Sequence, residues 1–149
     1  MTKEERGLIT KKYQDLHMNC AQCVLLSFQD LLGLTEEQCL GIGSGFGGGM
    51  RCGGVCGAVS GAIMVLGMLY PQTPEGGAES KARISRMTVE FQRRFKEQFT
   101  YLNCRDLLAH PAEEGTPLAQ QIGVTAHCPI MMVSAVELLS DYLDELKQQ

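Results

Sequence analysis

The stretch Gly43–Tyr70, "GSGFGGGMRCGGVCGAVSGAIMVLGMLY", decides how the rest of the chain is read. Its first part is nearly half glycine and holds Cys52 and Cys56; its second part is continuously apolar. It can be a phosphate-cradling loop, a flexible linker, or a tight turn that delivers a thiol to a helix start. Gly43, Gly45 and Gly48 open a formal G-x-G-x-x-G match. A dinucleotide loop needs a strand before it, a helix after it and an acid about 20 residues further on. Here "TEEQCLGI" (residues 35–42) precedes it and reads as helix, and the next acid is Glu75, in a loop. No G-K-[ST] follows, which removes the P-loop reading. A linker does not fit between two helices. The remaining reading is a glycine turn feeding a buried apolar helix from about Gly54 to Leu69, with no α/β sheet around it.

Outward from this stretch, every signal is helical. "NCAQCVLLSFQDLLGL" opens with Asn19 as N-cap and Gln22 three residues on, a capping box, and stops at Gly33. Thr35 and Gln38 repeat the device. "SKARISRMTVEFQRRFKEQF" places Ile84, Met87, Phe91, Phe95 and Phe99 at helical spacing, an ordinary core stripe. "NCRDLLAH" reads as a short helix capped by Asn103. "CPIMMVSAVELLSDYLDEL" closes the chain with Pro129 at its first helical position. The expectation is an all-α, single-domain bundle over residues 1–149 with about five to seven helices.

Composition narrows the function. Of 149 residues, 44% are apolar, 20% charged and 6% aromatic, with a formal net charge of −4. A mildly acidic chain without a basic run is a poor nucleic-acid binder. The apolar run Val55–Tyr70 is short of the about 20 residues a membrane span needs and is interrupted by Gly57, Ser60 and Gly61. The first residues show no secretory signal. Seven cysteines without such a signal point to a reducing, cytoplasmic setting, where thiols serve metal binding or redox chemistry more often than structural bridges.

Four of the cysteines fall at predicted helix starts: Cys20 after Asn19, Cys104 after Asn103, Cys128 before Pro129, and Cys56 at the head of the apolar helix. Unpaired N–H groups and the helix dipole there lower a thiol's pKa and favour the thiolate, the form that ligates metals and attacks disulfides. Cys23 makes "CAQC" with Cys20, a dithiol candidate. Cys52, four residues from Cys56, is a further candidate, while Cys39 reads as core. Gly48, Gly49, Gly54 and Gly57 are the positions where backbone can approach a bound group. Gly57 and Gly61 suit close helix packing, with a homodimer contact as the alternative. His127 beside Cys128, His17 near Cys20, and Arg51 as an anion holder complete the candidates; packing and capping are the commoner roles for such residues.

Four segments together resemble the redox-active protein family named for its pattern C…GCAxxG…C…C: "NCAQCVLLSF", "GSGFGGGMRCGGVCGAVSGAIMVLG", "NCRDLL" and "HCPIMMVSAVELL". The likeness runs from about Asn19 to Leu139. The block around Cys56 departs from the family name by reading Cys56-Gly57-Ala58-Val59-Ser60-Gly61, and Cys23, Cys39 and Cys52 are additional. The resemblance implies redox activity, with Cys20, Cys56, Cys104 and Cys128 as redox thiols and ligands of an iron–sulfur cluster. The alternatives are metal-free dithiol–disulfide chemistry and a structural zinc site. An oxidoreductase component served by a redox partner protein is the implied role, and no substrate follows from the pattern. No C-x-x-C-H is present, so covalent haem is not expected.

Overall fold

The computed structural model describes all 149 residues and is helical throughout, with no strand. Nine α-helices follow one another: α1 (Lys3–Asp15), α2 (Cys20–Ser27), α3 (Gln29–Leu32), α4 (Glu36–Gly43), α5 (Gly57–Leu69), α6 (Gly77–Phe99), α7 (Cys104–Ala109), α8 (Pro117–Ile122) and α9 (His127–Lys147). With the turn Gly49–Gly53 this makes ten helical segments, above the expected range. The surplus has a local cause. Phe28 leaves the helical region (φ −117°, ψ 13°) and splits one expected helix into α2 and α3. The segment 111–127, which reads as mostly loop with a turn of helix around Leu118 to Ile122, supplies the short helix α8.

The capping boxes at Asn19/Gln22 and Thr35/Gln38 both form, and Gly33 ends α3 in the left-handed region (φ 66°). Pro129 lies in the third helical position, not the first, because α9 begins at His127. It does no harm there, since the first-turn amides have no intrahelical partner.

One core cluster gathers side chains from Cys23 to Leu143. The stripe on α6 contributes Met87, Phe91, Phe95 and Phe99, all buried, with Ile84 against its edge. Central in the packing is α2, which touches α1, α4, α5 and α9. Its closest neighbour is α5. A Cβ on Gly57 would lie 3.0 Å from the Ala21 nitrogen and 3.1 Å from the Cys20 Cβ. On Gly61 it would lie 3.1 Å from the Ala21 oxygen. The glycine pair is therefore used inside the chain, to bring the start of α5 against the start of α2. No helix is long and apolar enough to cross a membrane.

Candidate thiol site

Each of the four helix-start cysteines is delivered by a different local device. Cys20 is the first residue of α2. The cap beneath it also ties down the end of α4: Asn19 Nδ2 donates to the carbonyls of Gly43 (3.0 Å) and Ser44 (3.2 Å), and Gln22 Nε2 donates to Leu40 (2.9 Å). The glycine loop thus leaves α4 already anchored to Cys20's helix.

The loop then makes a turn that its composition does not announce. Gly48, Gly49, Met50 and Arg51 all adopt positive φ (61°, 60°, 58° and 61°). A wide hydrogen bond closes the turn, from the Gly54 N–H to the Gly49 carbonyl at 2.9 Å. Four successive left-handed residues, two of them not glycine, reverse the chain before Cys56. Next, Val55 pairs antiparallel with Asn103. The Cys56 N–H donates to the Leu102 carbonyl (2.8 Å) and the Cys104 N–H to the Gly54 carbonyl (2.6 Å). This short bridge sets Cys56, the N-cap residue of α5, beside Cys104, the first residue of α7. Cys128 arrives from the first turn of α9.

Cys20 has Cys56 and Cys128 as its near neighbours, both within hydrogen-bonding reach, while Cys104 is linked to Cys56 and Cys128 through charge alone. Hydrogen bonds to Cys128 and Cys56, then burial, raise the Cys20 pKa far above the ordinary thiol value, so it keeps its proton and donates. Its single proton can serve either neighbour, Cys128 or Cys56. The Cys20 hydrogen bond holds Cys128 down at about 6 against the opposing effect of burial. It also lowers Cys56, helped by the amides of Ala58 and Val59 at the start of α5, although neither amide makes a formal capping bond. Burial and the neighbouring thiolates raise Cys104.

The other candidates stand apart. Cys23 is fully buried, donates weakly to the Met18 carbonyl at 3.6 Å, and is pushed up to about 12 by burial. It faces the core, so "CAQC" is not an opposed pair. Cys52 is exposed and turned back on the Gly49 carbonyl at 3.3 Å. Cys39 is core, as its context suggests. His127 Nδ1 is buried with no hydrogen-bond partner, and burial lowers its pKa. His17 is exposed and has positive φ. Of the glycines, Gly57 serves helix packing, and Gly48 and Gly49 serve the left-handed turn. Sequence reasoning did not single out Arg105, whose Nη2 bonds the Cys52 carbonyl at 3.1 Å and ties α7 to the loop. Only the "NCR" run near a cysteine could have hinted at it.

A family model described as "Putative redox-active protein (C_GCAxxG_C_C)" matches residues 18–142. The chain belongs to this family. The match takes in all four helix-start cysteines and leaves out only α1 and the last residues of α9. Neither the curated proteins nor the solved structures contain a match to the chain. In this family member the donor set, four thiols, is chemically suited to an iron–sulfur cluster or to zinc. No three His, Cys, Asp or Glu side chains stand as ligands of one metal ion. Only Cys20 has two other thiols, Cys56 and Cys128, as near neighbours.

Proposed function

We propose that Cys20, Cys56, Cys104 and Cys128 form a redox centre working by thiol–disulfide exchange, with Cys20 as the shared partner. The observation that carries this is the hydrogen-bonding reach of Cys20 to two flanking sulfurs. The Cys128 thiolate attacks one sulfur of an incoming disulfide and releases the other as a thiolate, which takes up a proton. Cys20 then gives up its proton and attacks the Cys128 sulfur. The products are a Cys20–Cys128 disulfide and the partner's two thiols, so two electrons pass from the protein to the partner. Cys56 is the second sulfur that Cys20 can pair with.

Peptide mapping after mild oxidation tests this. A disulfide involving Cys20 is expected, reversed by dithiol reductant and lost in C20S. If Cys20 stays a free thiol while other cysteines oxidise, the reading is wrong.

A second reading has the four thiols as ligands of an iron–sulfur cluster, which would supply one-electron transfer. Four thiols at four helix starts favour it, because helix N-termini stabilise the negative charge that thiolate ligands bring. Anaerobic reconstitution with iron and sulfide separates the two. A stable visible absorption band that disappears in C104S supports the cluster. Iron that washes off with the thiols intact leaves disulfide exchange.

A further inference from the structure

The three neighbouring thiols differ in how far they reach solvent. Cys128 is exposed, Cys20 is half-buried, and Cys56 is buried, at 4% exposure. Cys20 is the middle sulfur, within reach of both others. Each approach has its own backbone cause. Toward Cys56 it is the close lie of α5 on α2: a Cβ on Gly57 would stand 3.1 Å from the Cys20 Cβ. Toward Cys128 it is the packing of α2 against α9, whose first turn carries that residue. A disulfide between Cys20 and Cys128 therefore has a third sulfur, Cys56, against its inner end.

Forming that disulfide changes the balance between the two flanking sulfurs. Cys20 has then lost its proton and donates to neither of them. Each still stands at the start of a long helix, Cys56 on α5 and Cys128 on α9. Exposure decides between them. A Cys56 anion keeps the amides of Ala58 and Val59 but bears the cost of burial. An anion on Cys128 is in contact with water and costs less.

We infer that Cys56 is the third reacting residue of a relay, in which Cys20 passes the disulfide inward from Cys128 to Cys56. The relay rests on the reading of the site as a thiol–disulfide centre. The Cys56 thiolate attacks the Cys20 sulfur. The Cys20–Cys56 bond forms, the Cys20–Cys128 bond breaks, and Cys128 leaves as a thiolate. Two electrons have already gone to the incoming disulfide, so this step leaves the chain's oxidation state unchanged. Negative charge moves from a buried sulfur to an exposed one. The oxidised product is a disulfide that ends on a buried sulfur, away from the thiols released by the partner, and Cys128 is free again at the surface. Electron transfer to the partner is thereby made one-way.

The test uses the full reduced chain, with oxidised glutathione as the disulfide. After a short exposure the reagent is removed by desalting, and the protein stands without oxidant. Samples are quenched in acid, unfolded, labelled with N-ethylmaleimide and mapped by mass spectrometry. Cys20–Cys128 is expected first and Cys20–Cys56 later, with total thiols constant during the wait. Under native conditions Cys128 should lose its reactivity to iodoacetamide and then recover it. In C56A the first disulfide should persist and Cys128 stay blocked. The parent's own time course decides, whether or not C56A folds. In C128S, Cys20–Cys56 should form at least about tenfold more slowly from the same reagent, because entry is through the exposed thiolate. Where the first disulfide is too short-lived to trap, that rate is the deciding measurement. A Cys20–Cys128 disulfide that persists in the parent overturns the relay and leaves the exchange reading intact. Cys20–Cys56 formation as fast in C128S as in the parent also overturns the relay. Absence of any disulfide involving Cys20 overturns both.

Discussion

Cys128 lies exposed in the first turn of α9, with the Cys20 sulfur beside it. One hydrogen bond decides its state. The Cys20 donor lowers its pKa, burial raises it, and the donor wins, to about 6. A thiol depressed in this way is an anion above that pH and is protonated as pH falls through it. Its alkylation rate by iodoacetamide should therefore rise through about pH 6 and be flat by pH 8, read by mass spectrometry on the peptide containing Cys128. In C20A only the opposing effect of burial is left. The rate should then still be climbing above about pH 8, as for an ordinary thiol. Serine retains a donor, so C20S should fall between the two. An unchanged profile in C20A would assign the shift to the helix start alone.

At the scale of elements, the site depends on how closely α5 can lie on α2. Gly57 decides this. Alanine is a better helix former than glycine by about 1 kcal/mol, and less than that at a first-turn position. Against the gain, its Cβ would come 3.0 Å from the Ala21 nitrogen and 3.0 Å from the Phe46 oxygen, both backbone atoms that cannot swing aside. Overpacking of this kind costs about 1–3 kcal/mol, so the clash wins. G57A is expected to lower the urea midpoint and to reduce any Cys20–Cys56 disulfide formed on oxidation. A variant as stable as the parent would show that α5 can slide. The elements themselves were largely legible: the capping boxes at Asn19 and Thr35, the stop at Gly33 and the α6 stripe are local signals, carried by side chains three or four residues apart. The left-handed turn was not, because Met50 and Arg51 have no intrinsic preference for positive φ and are held there by the hydrogen bond across the loop. Nor was the separation of Cys20 from Cys23, since a C-x-x-C spacing does not say which sulfur turns inward when α2 is covered on several sides. The helix starts of the four cysteines could be read from sequence; which of them come close could not, because it needs the Val55–Asn103 bridge and the α2–α5 approach, both long-range.

At the scale of the whole molecule, α1 lies outside the family match yet fastens α2 to α9. The fastening is polar and partly buried. Arg6 makes a two-pronged pair with Asp30 (2.6 and 3.1 Å), bonds the Ser27 carbonyl at 2.8 Å and lies over the Phe28 ring. Thr10 and Ser27 share a 2.6 Å hydrogen bond below it, and Lys3 reaches Asp141 on α9. Removing one partner of such a pair costs more than the pair is worth, because the other is left without its counter-charge. Asp30 still touches water, at 34% side-chain exposure, so R6A is expected to cost about 2 kcal/mol, below the fully buried range. The pH dependence identifies the cause. The Arg6 hydrogen bond holds the Asp30 carboxyl below the ordinary carboxylate range. Its contribution is therefore complete above about pH 4 and is lost as pH falls through the folded-state value. Denaturant midpoints of the parent and R6A should differ at pH 7 and converge as the solution is taken below pH 4. If the gap is the same at both pH values, the loss comes from the stacking on Phe28 and the Ser27 contact, and the ion pair does not hold α1 in place.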